Sequence, residues 1–170
     1  MNKRLLYYTI AGIILTSIAG TLLHFAYEFS HQNPLVALFA PVNESIWEHM
    51  KLVFFPAFVY TMLGWPFFCR STPLFFSSYL TGVITGTLSI PVIFYTYTGI
   101  LGTHYTVLDV LTFLAGVFIT FCLAYQLTVQ DCKILPAPFL VFLLVTFLIC
   151  FFIFTNMPPD VALFNTYASI

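Results

Sequence analysis

Long apolar runs separated by short polar breaks organise this chain. Leu5–Tyr27 contains no Asp, Glu, Lys or Arg, and further apolar runs follow to the end of the sequence. Each approaches the roughly 20 residues that a helix needs to cross a bilayer. The pattern predicts transmembrane helices over 5–28, 45–68, 74–97, 105–129 and 134–157, an outer loop over 29–44 and a C-terminal tail over 158–170. The first run is read as a retained helix, because the apolar core of a signal peptide is only about 7–15 residues long. Within the outer loop, Leu35–Ala40 lies between Asn33-Pro34 and Pro41. It is too short to span and belongs in the interface or in a re-entrant dip.

Local features fit this partition. Pro56 and Pro66 fall inside the second span, where neighbouring helices can satisfy the freed carbonyls. Gly82-x-x-x-Gly86 makes a ridge of small residues suited to close helix packing. The predicted fold class is an all-α polytopic membrane bundle, one integral domain over 1–170, in a cell membrane.

Composition sharpens the picture. Hydrophobic residues make up 61% of the 170, aromatics 19% and charged residues 6%, whereas a soluble domain carries about 25% charged residues. Most of the surface must therefore face lipid. Net charge is −1, and without a basic patch a nucleic-acid partner is excluded. The four cysteines form no C-x-x-C pair and are expected as thiols.

Charge also sets an orientation. With the N-terminus cytoplasmic and the C-terminus outside, Lys3, Arg4, Arg70 and Lys133 fall inside and Lys51 outside, as the positive-inside rule favours. Glu28, Glu44, Glu48, Asp109 and Asp160 then share the outer side with His24, His31, His49 and His104, and Asp131 alone among the acids lies inside. This clustering was not used to choose the topology.

The spacings suggest chemistry. His24 and Glu28 are i,i+4 on the first helix, as are Glu44 and Glu48 in the stretch Asn43–Lys51. His104 and Asp109 flank the start of the fourth span. Imidazole and carboxylate are ligands that zinc accepts, typically three from protein plus water at a catalytic site. His24, Glu28, His49, His104 and Asp109 are the candidate ligands of a divalent metal such as zinc. Glu48 and Glu44 are the candidate catalytic carboxylates.

Simpler roles compete. Ser45-x-x-Glu48 is a capping box, and the helix dipole favours acids at this position. Glu48 and Lys51 can pair at i,i+3, and Trp47, Trp65 and Tyr27 suit interfacial anchors. His31 and Asp160 read as solvated loop residues. His24, Glu28 and Asp109 have no such capping role.

His24-x-x-Tyr27-Glu28, Asn33-Pro34 and Pro41-Val42-Asn43-Glu44-Ser45-x-Trp47-Glu48-His49 resemble the signature of a family of small, functionally uncharacterised multi-pass bacterial membrane proteins. Pro158-Pro159 with Leu163-Phe164 and Tyr167 is similar to that family's tail, though shorter and without its usual glycine. The resemblance implies a compact membrane bundle and no particular activity. From the residues themselves, the expected function is a metal-dependent hydrolase or transferase acting on a lipid or lipid-linked substrate within the bilayer. The alternatives are a binding or transport protein for protons, cations or small ligands, and a structural membrane subunit.

Overall fold

A computed structural model describes residues 3–132 and 135–166. Its helices are α1 (Lys3–Phe29), α2 (Pro34–Ala37), α3 (Ile46–Phe68), α4 (Phe75–Leu101), α5 (Thr106–Val129) and α6 (Ala137–Asn156), followed by a 3₁₀ turn at Ala162–Phe164. All but α2 and the final turn are long and apolar enough to cross a membrane.

The helix ends follow local chemistry. Ser45, in extended backbone, caps α3 by accepting a hydrogen bond from the Glu48 amide at 3.3 Å. Only that half of the expected capping box forms, because the Ser45 amide donates to Asn43 Oδ1 instead. The fourth span was expected to start at 105 and the third to stop at 97, yet α4 runs one turn further to Leu101. Gly99 continues the helix, and Gly102 ends it in the left-handed conformation that a glycine adopts without steric cost. His31 and Gln32, both at positive φ, turn the chain away from α1.

Successive long helices run antiparallel. Tyr8 stacks on Tyr60 at one end of the bundle with ring centroids 4.4 Å apart, while His24 meets His49 at the other. Tyr8 and Tyr60 also exchange hydroxyl-to-carbonyl hydrogen bonds of 2.5 and 2.8 Å. α4 and α5 pack through the glycine ridge: a Cβ on Gly86 would lie 2.6 Å from the Gly116 carbonyl oxygen. α6 rises along α3, placing Phe147 on Phe54 and Phe151 on Trp47. Many hydroxyls within the helices donate to their own backbone, as where Thr120 donates to Gly116 and Thr61 to Ala57, whereas those of Thr16, Ser78 and Thr87 are buried without a partner.

One close approach shapes the site. Pro56 has no N–H to give the Leu52 carbonyl, four residues earlier. That oxygen faces α1 at Gly20, where an added Cβ would lie 2.6 Å from it and 2.6 Å from Phe113 Cζ. α1, α3 and α5 therefore converge at Gly20, Leu52 and Phe113.

One expectation changes here. Trp47 does not sit at a lipid-facing interface; it is buried among Phe151, Phe154 and Phe164, because the C-terminal segment folds back over it. In the run 35–40, Leu35 is exposed, and the carbonyls of Ala37 and Ala40 accept from Lys51 Nζ, at 3.0 and 3.5 Å, which ties the run to α3. Lys133 lies outside the described residues.

Candidate functional site

Above the Gly20–Leu52–Phe113 floor, the helices diverge around a cavity of about 840 Å³. α1 contributes Thr21, His24 and Phe25; α3 contributes His49 and Leu52; α5 contributes Thr106, Asp109, Val110 and Phe113. Asn43 and Glu44 line it from the segment before α3, and His104 from the α4–α5 connection. Thr166 completes the wall, held by a β-bridge to Ser45.

At its polar end, His24, Glu44 and His49 each offer a ligand atom, and all three atoms lie within 4.8 Å of one another. Glu44 stands between the rings, with Oε2 3.3 Å from His49 Nε2 and Oε1 3.9 Å from His24 Nε2. Tetrahedral zinc with bonds of about 2.0–2.2 Å separates its ligand atoms by about 3.3 Å. The His49–Glu44 separation matches that spacing, and the trio could hold a small divalent ion if His24 drew closer.

The surroundings of His49 favour that use. Its Nδ1 lies 2.8 Å from the Ser45 carbonyl oxygen. A carbonyl can only accept, so Nδ1 carries a proton, and Nε2, when it is protonated too, donates to Glu44; a bound ion would take the place of that Nε2 proton. Orientation by a backbone carbonyl is the usual outer-shell arrangement of a ligating histidine. His24 lacks this support: its Nδ1 is buried without a hydrogen-bond partner. The Glu44 carboxyl is held below the ordinary carboxylate range, chiefly by the His49 hydrogen bond, with the charges of His49 and His24 adding to it.

Asp109 occupies the facing wall. Its carboxylate accepts a hydrogen bond from the Tyr97 hydroxyl, and Oδ2 lies 3.3 Å from His104 Nδ1. A second, small cavity of about 20 Å³ is bounded by both His49 and Asp109 together with Thr112.

The sequence-predicted residues thus divide. His24, Glu44, His49, His104 and Asp109 surround one cavity. Glu28 is exposed on α1, beyond the cavity lining and without an ion pair among the described residues. Glu48 is 2% exposed and does not line the cavity. Its Oε2 accepts from Lys51 Nζ at 2.7 Å and from the Val42 amide at 3.0 Å, and its Oε1 lies 3.2 Å from Thr155 Oγ1. Lys51 Nζ also donates to Thr155 Oγ1, at 2.6 Å.

Three contributors escaped the sequence reading: Tyr97, Thr155 and Thr166. Tyr97 had a usable signal, since it lies one turn before the helix-ending Gly102 and so at the level of Asp109. Thr155 and Thr166 carried no signal beyond belonging to the same end of the bundle.

These features define an all-helical bundle, five of whose helices are apolar enough to span a membrane, with a histidine–carboxylate constellation at one end. The chain belongs to the Family of unknown function (DUF6512), whose model matches residues 1–169. No curated protein and no solved structure matches the sequence.

Proposed function

We propose that this is an integral membrane protein that binds a divalent metal such as zinc through His24, Glu44 and His49 and acts as a hydrolase or transferase on a lipid-type substrate. The observation that carries this reading is the convergence of three ligand atoms within 4.8 Å at the polar end of a largely apolar cavity. A bound metal would polarise a substrate carbonyl or lower the pKa of a water. Asp109, braced by Tyr97 and His104, is the spare carboxylate suited to hold or move a proton opposite the trio. Glu48, satisfied by Lys51, is assigned to scaffolding.

The cavity's depth weighs against the transport alternative. Its α5 wall, from Thr106 to Phe113, rises about 10 Å at 1.5 Å per residue, a third of a ~30 Å hydrocarbon core. Its floor is closed by the apolar side chains of Phe113 and Leu52. Positive-inside placement of Lys3, Arg4 and Arg70 orients the N-terminus to the cytoplasm and the cavity to the outer face.

Elemental analysis of protein purified without chelators tests the assignment. About one zinc-class ion per chain is expected, and less in His49→Ala and His24→Ala. Absence of metal from the wild-type protein, both as isolated and after incubation with zinc or manganese, rejects it.

A further inference from the structure

We infer that the cavity selects an amphiphile whose head group is uncharged or cationic, and disfavours lipids that carry a phosphate. This rests on reading the cavity as a lipid-type substrate site and narrows the substrate class.

The mouth of the cavity faces the membrane. Phe25 and Val110 line it, yet they are 46% and 53% exposed on helices that span the bilayer. α1 and α5 are in contact at the Gly20–Phe113 floor and part above it. A chain can therefore slide in sideways from lipid, with its apolar part against Phe25, Leu52, Val110 and Phe113. Its head then sits at the level of His24, Glu44 and Asp109.

Charge decides what that head can be. Among the described residues, Glu44 and Asp109 are the carboxylates lining the cavity, beside His24, His49 and His104, and no Lys or Arg lines it. Lys51 is enclosed among four oxygen acceptors and does not line the cavity. Lys3 and Arg70 stand at the opposite end of the bundle, beside the ends of α1 and α3 that meet through Tyr8 and Tyr60. One divalent ion at His24, Glu44 and His49 would be balanced by the two carboxylates, leaving no surplus positive charge. Phosphate recognition ordinarily draws on Arg or Lys. Two carboxylates instead reward hydroxyl or amine donors. An ester or amide of a hydroxylated or amino head group meets both demands.

The test uses two photoreactive probes in lipid nanodiscs, a monoacylglycerol and a lysophosphatidate with the same diazirine-bearing acyl chain. Labelled peptides are mapped by mass spectrometry. The monoacylglycerol should label the α1 and α5 walls saturably, about tenfold or more better than the lysophosphatidate, given the cost of like-charge juxtaposition. Val110→Trp and Thr21→Trp, which fill the mouth from opposite walls, should each abolish that labelling. Val107→Trp, on an exposed position of α5 outside the lining, should not. Equal or preferential labelling by lysophosphatidate overturns the head-group inference. Labelling that survives both mouth-filling variants overturns the cavity assignment. Metal content is measured on the same samples: wall labelling without bound metal would reject the metal reading alone, and bound metal without wall labelling would reject this inference alone.

Discussion

Lys51 Nζ donates to Glu48 Oε2 at 2.7 Å, with the two side chains 0% and 3% exposed. Both are shut off from bulk solvent, and Ala37, Ala40, Val42 and Thr155 supply the pair's remaining hydrogen bonds. Removing one member strands the other. Lys51→Met and Glu48→Gln are each expected to lower stability, by about 3–5 kcal/mol when a bare charge remains. The double variant should recover a substantial part. Thermal unfolding of the detergent-solubilised variants checks this, and a double variant as unstable as the sum of the singles would contradict it.

The acid limb of stability should report Glu44. Its folded-state pKa lies below the ordinary glutamate value of 4.5. The stabilisation is therefore complete above the unfolded carboxyl's pKa and disappears as pH falls through the lower folded one. Because the side chain is 63% exposed, screening limits the effect to under about 1 kcal/mol. Glu44→Gln should flatten the melting temperature's decline below about pH 4.5 relative to wild type. An unchanged slope would show that Glu44 is not paired in solution.

Two glycines make a contrast pair. Gly86→Ala would drive a methyl toward the Gly116 carbonyl oxygen and Thr120. A loss of about 1–3 kcal/mol, the usual cost of overpacking, is expected. Gly99 also lies in α4, with nothing within 4 Å of an added Cβ. Gly99→Ala should be neutral or stabilising by up to about 1 kcal/mol. The order of melting temperatures tests the packing of α4 on α5.

Topology is checked by reporters. One inserted at Ser71 should be cytoplasmic, and one fused after Asp160 extracytoplasmic. Both in the same compartment would overturn the five-span count and the shared face of the acids and histidines.

The spans were legible because 20-residue apolar runs have few alternatives in lipid, and Ser45 was legible as a cap because its chemistry is local. The partition of Glu44 and Glu48 was not. Their i,i+4 spacing suggested one helical face, but α3 begins at Ile46. Glu44 thus lies in the segment before the cap and reaches the histidines, while Glu48, inside the helix, is met by α6 through Thr155. The helix start at Ile46 separates a cavity-lining carboxylate from a scaffold anion. Asp109's partner was similarly hidden: Tyr97 was read as the last residue of its span, whereas α4 continues past it.

The reach of the Lys51 network along the chain has a consequence for biogenesis. Thr155 follows Lys51 by 104 residues, and Thr166 pairs with Ser45 from still later in the sequence. During synthesis α3 must meet the membrane long before either arrives, with Glu48, three residues away, as the ammonium's immediate companion. The scaffold beside the cavity and part of its wall thus close only when the last helix and the segment after it fold back onto α3. A nascent chain stalled before α6 has His24, Glu44 and His49 but no finished enclosure, so the cavity is completed only at the end of assembly.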